Sequence, residues 1–230
     1  MISIIIPTYN NFNGLKDCVE SLINITAPQN IEIIISANGA SDVLDLRNYT
    51  KRGYDISYIW NDKPIGYSKA CNAGIKKSRG DYVVLLNDDV VFLPQEMNAW
   101  LKMLSAPFQN DTRMGITGPL LQFSPPANHN FIVFFLVMIK REVFDAIGLL
   151  DESFGMGAGE DTAFCIEAEK AGYKFATATV GTTHVSDGLV IGNFPVFHAG
   201  EGTVHTLPNW NEIFAENSNK LKERYNATIG

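Results

Sequence analysis

Apolar residues in the first half of the chain come in short unbroken runs, without strict alternation. Residues 2–7, 31–37, 56–60 and 82–86 are β-branched or apolar almost throughout, the pattern of parallel strands buried on both faces. Between them the apolar positions are spaced as on a helix: Leu15, Val19, Leu22 and Ile23, then Val43, Leu44 and Leu46, then Ala70, Ala73 and Ile75. Strand and helix therefore alternate, which predicts an α/β fold with a doubly wound, mostly parallel sheet. In such a sheet the ligand crevice lies beyond the C-terminal ends of the strands. Four loops fall there, 8–14, 38–42, 61–66 and 87–89, each rich in Asn, Asp or Gly. One such loop is ordinary turn and cap chemistry; four at one edge make a candidate site.

After Pro94 the pattern predicts a helix over 95–104 and a strand over 115–121, then a mixed second half. Residues 123–130 read as a loop, 131–139 as one strand-like run, 142–147 as a short helix and 161–171 as a longer one carrying Phe164, Ile166 and Ala168. Gly172 stands where a helix-ending glycine is expected. Strands at 174–179 and 193–197 and a polar helix at 212–225 complete the reading. With no repeat, linker or low-complexity segment, residues 1–230 are expected to form one domain.

Composition narrows the function. At 230 residues, 46% hydrophobic and 19% charged, the chain is an ordinary globule able to bury about 70–75% of its unfolded surface. A net charge of -7 and a pI near 5.1 leave no basic field for nucleic acid or an anionic membrane, so any phosphate must be held locally. Cys18, Cys71 and Cys165 are scattered without C-x-x-C spacing, against a disulfide framework or a thiolate zinc site. The opening MISIIIPTYN has no cationic region and reads as a strand, not a secretory signal. The longest apolar stretch, 131–139, falls well short of the roughly 20 residues of a spanning helix. A cytoplasmic protein without a membrane anchor is expected.

Two acidic pairs carry the candidate chemistry. LLNDDV places Asp88 and Asp89 directly after a buried strand, where like-charge repulsion calls for a hard divalent cation with oxygen ligands; the bland alternative is a helix cap. GAGEDTAF sets Glu160 and Asp161 at a helix start after a glycine-rich run. Acids there are stabilised by the helix dipole in any case, but glycines also permit close approach to a ligand, and a carboxylate at such a place suits a general base. His198, ending a predicted strand before Gly200, Glu201 and Gly202, is suited to complete an oxygen-ligated manganese site. His129, His184 and His205 read as structural.

With these residues laid out, the chain resembles the GT-A-fold glycosyltransferases, in particular the inverting family-two enzymes that use nucleotide-sugar donors. SIIIPTYN, IIISANGASD, NDKPIGYSKACNAG and LLNDDV are similar to their opening strand, second-strand loop, Asn-x-Gly stretch and D-x-D region. KREVFDAIGLLDESF with GEDTAFCIEAEKAGYK is similar to their acceptor-side segment, and FHAGEGTVH to a C-terminal block. The resemblance implies a nucleotide-sugar-binding half over 1–121 and an acceptor-side half over 122–230. It implies that Pro7, Thr8 and Tyr9 line the nucleotide pocket and that Asn38 lies beside the base. Asn87 and Asp88 reach ribose or metal-bound water, Asp89 and His198 bind Mn²⁺ or Mg²⁺, Lys69 contacts the diphosphate, and Asp161 is the base. The implied donor is a nucleoside-diphosphate sugar and the acceptor a glycan or other hydroxyl. Ala37 stands where many relatives carry an acid that recognises uracil, and Asn87 replaces the first acid of D-x-D, so the nucleotide base is left open.

Two rival readings remain at this stage. A sugar nucleotidyltransferase also pairs a nucleotide-binding sheet with acid-held metal, but PTYNNFNG holds no Lys or Arg where such enzymes carry a basic phosphate loop. A noncatalytic nucleotide-sugar or carbohydrate-binding module would keep the fold without needing both acidic pairs.

Overall fold

A computed structural model of the chain describes residues 1–38, 44–127, 129–179, 183–185, 188–200, 207 and 209–229. The first half alternates as the apolar runs predict: β1 (Ile2–Thr8), α1 (Phe12–Ile25), β2 (Ile31–Asn38), α2 (Arg47–Lys51), β3 (Asp55–Asn61), α3 (Tyr67–Lys77) and β4 (Tyr82–Leu86). β1 shows why alternation is missing from its sequence. Ile4 and Ile6 pack with Leu15, Val19 and Leu22 of α1 on one face, while Ile5 packs with Cys71 and Ile75 of α3 on the other. Each fully buried side chain of this kind contributes about 1.5–3 kcal/mol, and helices cover both faces.

β5 (Val90–Phe92), α4 (Ala99–Ser105) and β6 (Met114–Gly118) follow. α4 starts later than residue 95 because Asn98 is held in the left-handed region at φ 63°. Its side chain accepts the Ala27 amide at 2.8 Å and its own amide donates to the Ile25 carbonyl at 2.7 Å. Likewise α2 starts only at Arg47, since the Leu44 amide is drawn to the Tyr58 hydroxyl at 2.7 Å; Val43 lies outside the described residues.

The second half departs further. The expected loop at 123–130 contains most of a hairpin, β7 (Leu121–Ser124) and β8 (His129–Ile132). The expected strand over 131–139 is divided: β8 ends at Ile132 and β9 (Leu136–Lys140) starts afresh. The apolar run conceals the break, because Phe134 and Phe135 between them are as buried as the strands. α5 (Arg141–Ile147), α6 (Glu160–Lys170) and β10 (Lys174–Thr177) come next, with Gly172 at φ 89° ending α6 as expected. β11 (Thr183–Val185), β12 (Gly188–Val190) and β13 (Val196–His198) precede α7 (Trp210–Tyr225). β13 starts after residue 193 because Phe194 turns back onto the Ile191 carbonyl at 2.8 Å.

The main sheet has the order β10-β6-β9-β4-β1-β2-β3. Its pairs are parallel except those of β9, which runs antiparallel to both β4 and β6. A second sheet, β11-β12-β13-β5, is antiparallel throughout. The α/β expectation of a mostly parallel, doubly wound sheet with a mixed second half therefore holds. Among the described residues no helix is long and apolar enough to cross a membrane.

Candidate active site

Three parallel strands end at one edge, and the residues at and just beyond their ends line a cavity of about 290 Å³. β1 delivers Pro7, Thr8 and Tyr9, β2 delivers Asn38, and β4 delivers Asn87, Asp88 and Asp89. Because β9 runs antiparallel to β4, the segment entering β9 reaches the same edge and adds Phe134 and Phe135. The start of α6 adds Glu160 and Asp161, and β13 adds His198. Lys69 does not line this cavity: it is exposed on α3, two residues beyond the inward-facing Tyr67. Positions 39–42, Glu201, Gly202 and His205 lie outside the described residues.

Asp89 and His198, far apart in sequence, meet through the small sheet, in which Val90 pairs with His198. Asp89 Oδ1 lies 3.2 Å from His198 Nε2, with only 13% and 15% of the two side chains exposed. The Phe135 ring stacks on the His198 ring at 4.3 Å between centroids and 11° between planes, fixing its orientation. Although the two atoms are close, they are not aimed at each other, and neither closes a hydrogen bond. Neighbouring ligands on an octahedral ion with bonds of about 2.0–2.2 Å lie about 3 Å apart. The pair thus fits two ligands of one divalent ion. Among the described residues no cluster of three His, Cys, Asp or Glu side chains is placed to hold a metal.

Asp88 is 7% exposed. Burial pushes its carboxyl up to about 7; the Thr8 hydroxyl, Asn11 and the Tyr9 amide offset part of this, and the neighbouring Asp89 charge adds to it. Even so, Thr8 Oγ1, Asn87 Oδ1 and Asp88 Oδ2 are buried without a closed hydrogen bond, a cost of about 1–3 kcal/mol each that a polar ligand would relieve. Asn38 is committed differently. Its Oδ1 accepts the Ile65 amide and holds the loop after β3 against the cavity.

That loop meets the glycine-rich run. A Cβ on Gly66, which sits at φ 91°, would come 2.2 Å from the Gly155 carbonyl oxygen, so no other residue fits. Gly155, Gly157, Ala158 and Gly159 all have positive φ, and this contorted backbone turns Met156 and Ala158 into the cavity wall before α6 begins. At the start of α6, burial raises the carboxyls of Glu160 and Asp161, most of all through desolvation; their mutual repulsion adds to the Glu160 shift, and the Thr162 and Phe134 amides partly offset that of Asp161. Asp161 Oδ1 accepts the Thr162 amide at 2.7 Å, while Glu160 Oε2 is unpaired. The Tyr67 hydroxyl donates to the Phe134 carbonyl at 2.9 Å and ties α3 to the same wall.

Four carboxylates line the cavity, and no Lys or Arg does among the described residues. A cation bound at such a site would reverse the local sign of charge. Phe135 and Met156 were not singled out in sequence, since an aromatic in an apolar run and a methionine among glycines carry no signal beyond packing.

Residues 3–111 match the family model for glycosyl transferase family 2. An uncharacterized protein of Sinorhizobium fredii, y4gI, is 28% identical over 208 aligned positions covering 75% of this chain and 23% of that one. An uncharacterized glycosyltransferase of Rickettsia bellii is 35% identical over 104 positions, 45% of this chain and 15% of that one. The chain thus spans less than a quarter of the length of either relative. In fold it is similar to a mannosyltransferase of Pyrobaculum calidifontis solved in complex with GDP-Man and Mn²⁺, with a TM-score of 0.64 at 14% identity over 98% of this chain and 65% of that one.

Proposed function

We propose, for a chain that is family-2-like in sequence and GT-A in fold, that it transfers a sugar from a nucleoside-diphosphate sugar to an acceptor hydroxyl, with metal dependence and inversion at the anomeric carbon. The observation that carries this is one cavity in which the unbonded Asp89–His198 pair and the Asp161 carboxylate stand together with no Lys or Arg among the described residues. Asp89 and His198 would hold Mn²⁺ or Mg²⁺, which when bound neutralises charge on the departing diphosphate. Thr8, Asn87 and Asp88 offer hydrogen-bonding groups to the nucleoside and its ribose. Asp161 accepts the proton of the attacking hydroxyl as its oxygen bonds to the anomeric carbon and the bond to the diphosphate breaks. In-line attack of this kind inverts the centre.

Calorimetry with GDP and UDP, each with Mn²⁺ or with chelator, tests the metal half of the reading. Parent protein is expected to bind one of them at least tenfold more weakly in chelator, and Asp89→Ala is expected to remove that difference. Equal binding of parent protein in both conditions would overturn the assignment.

A further inference from the structure

α7 grips the cavity wall from behind. Asn217 is 1% exposed, and its side-chain amide uses both N–H groups, donating to the Phe154 carbonyl at 2.9 Å and the Gly157 carbonyl at 2.8 Å. These carbonyls bracket Gly155 and Met156, in the stretch where successive positive φ angles turn the chain into the cavity. Asn217 Oδ1 in turn accepts from Lys220 Nζ at 3.0 Å. Leu221, one turn on, packs with Phe154 and Ala163. Farther along the same helix, Arg224 binds Asp151 Oδ2 at 2.6 Å, upstream of the cavity wall. A backbone held at several left-handed positions persists where its surroundings over-determine it, and the two bonds from Asn217 help to fix its course just before Glu160 and Asp161.

We propose that Asn217 is a positioning residue for transfer: through the Gly157 and Phe154 carbonyls it sets the wall that seats the sugar and aims Asp161, without itself touching substrate. This rests on the reading of Asp161 as base. The ordinary alternative is that Asn217 merely fastens α7 to the body, a role Arg224 shares.

The test compares Asn217→Ala, Asn217→Asp and Arg224→Ala. The Asp variant keeps the shape and the acceptor for Lys220 but has no N–H to give. Turnover is followed as Mn²⁺-dependent nucleoside diphosphate release from a panel of GDP- and UDP-sugars, and hydrogen exchange is followed over residues 154–160. Both Asn217 variants are expected to lose roughly tenfold or more in turnover, with KM for the donor within about threefold and exchange over 154–160 faster by about tenfold. Arg224→Ala is expected to retain turnover. The proposal is overturned if Asn217→Asp behaves as the parent, or if Arg224→Ala loses as much turnover as the Asn217 variants. The unaltered chain gives a check that needs no variant: amides of 154–160 are expected to exchange in step with those of α7, as one cooperative unit, and much faster exchange would also overturn the proposal. If Asp161→Asn stays active while the Asn217 variants still loosen the wall and slow turnover, the clamp stands and the base assignment falls.

Discussion

Asp161 opens α6 beside Glu160, and burial lifts both carboxyls above their ordinary range, which brings the proton affinity of the pair closer to that suited to accepting a hydroxyl proton near neutral pH. Asp161→Asn keeps the shape and removes that affinity. Turnover is expected to fall by roughly 10²-fold or more, while Mn²⁺-dependent nucleotide binding by calorimetry stays nearly intact; near-normal turnover would assign the base elsewhere. Both acidic pairs could be found from sequence because two carboxylates after a buried strand, or after a glycine run, have no packing reason to be there. The meeting of Asp89 with His198 was not derivable from spacing, since it depends on β5 pairing with β13, and each is only three residues long. Lys69 lies outside the cavity lining because two positions along a helix separate the cavity-lining Tyr67 from a side chain facing solvent.

At the scale of elements, the edge of the sheet away from the cavity has its own fastening. Glu32 on β2 accepts from the Ser3 hydroxyl on β1 at 2.6 Å, the Arg79 amide at 2.6 Å and the Arg79 guanidinium at 3.0 Å, while that guanidinium also reaches Asp55 on β3 at 2.5 Å. Burial alone would raise the Glu32 carboxyl, but these bonds outweigh it and hold the carboxyl below its usual range. A lowered folded-state value means that the stabilisation is present above about pH 4.5 and is lost as pH falls below it. Glu32→Gln is expected to cost about 1–2 kcal/mol at pH 7, kept modest by the exposure of Arg79. Its melting temperature should lie a few degrees below the parent at pH 7, and the gap should narrow progressively as pH falls below about 4.5; a constant gap in thermal melts would discount the charge. Fully buried parallel strands were the most legible elements, because unbroken β-branched runs leave few alternatives. β9 was not, since an antiparallel strand inside the sheet is as apolar as its parallel neighbours and direction leaves no trace in composition.

For the molecule as a whole, a net charge of -7 gathers in part at one crevice, where Asp88, Asp89, Glu160 and Asp161 all line the cavity. A nucleoside diphosphate alone is therefore expected to leave the melting temperature unchanged, and the same ligand with Mn²⁺ to raise it. At a hundredfold excess over Kd the gain is about 2.7 kcal/mol, several degrees for a chain of this size; a shift that survives chelator would contradict the metal dependence. The family match stops at residue 111, just before β6 starts at Met114, whereas Asp161 and His198 come from beyond it. The central sheet of the expected single domain runs on past residue 111 and past residue 121, after which the acceptor-side half is expected to start. Among the described strands β6 pairs with β9 and β10 alone, and β9 also covers the open side of β4. A fragment ending at residue 121 would carry β6 with no neighbour to join and would leave β4 as a bare apolar edge, an invitation to aggregate. The strands that line the cavity are thus completed by the part of the chain that carries Asp161 and His198, and the two are not expected to hold up as independently expressed pieces.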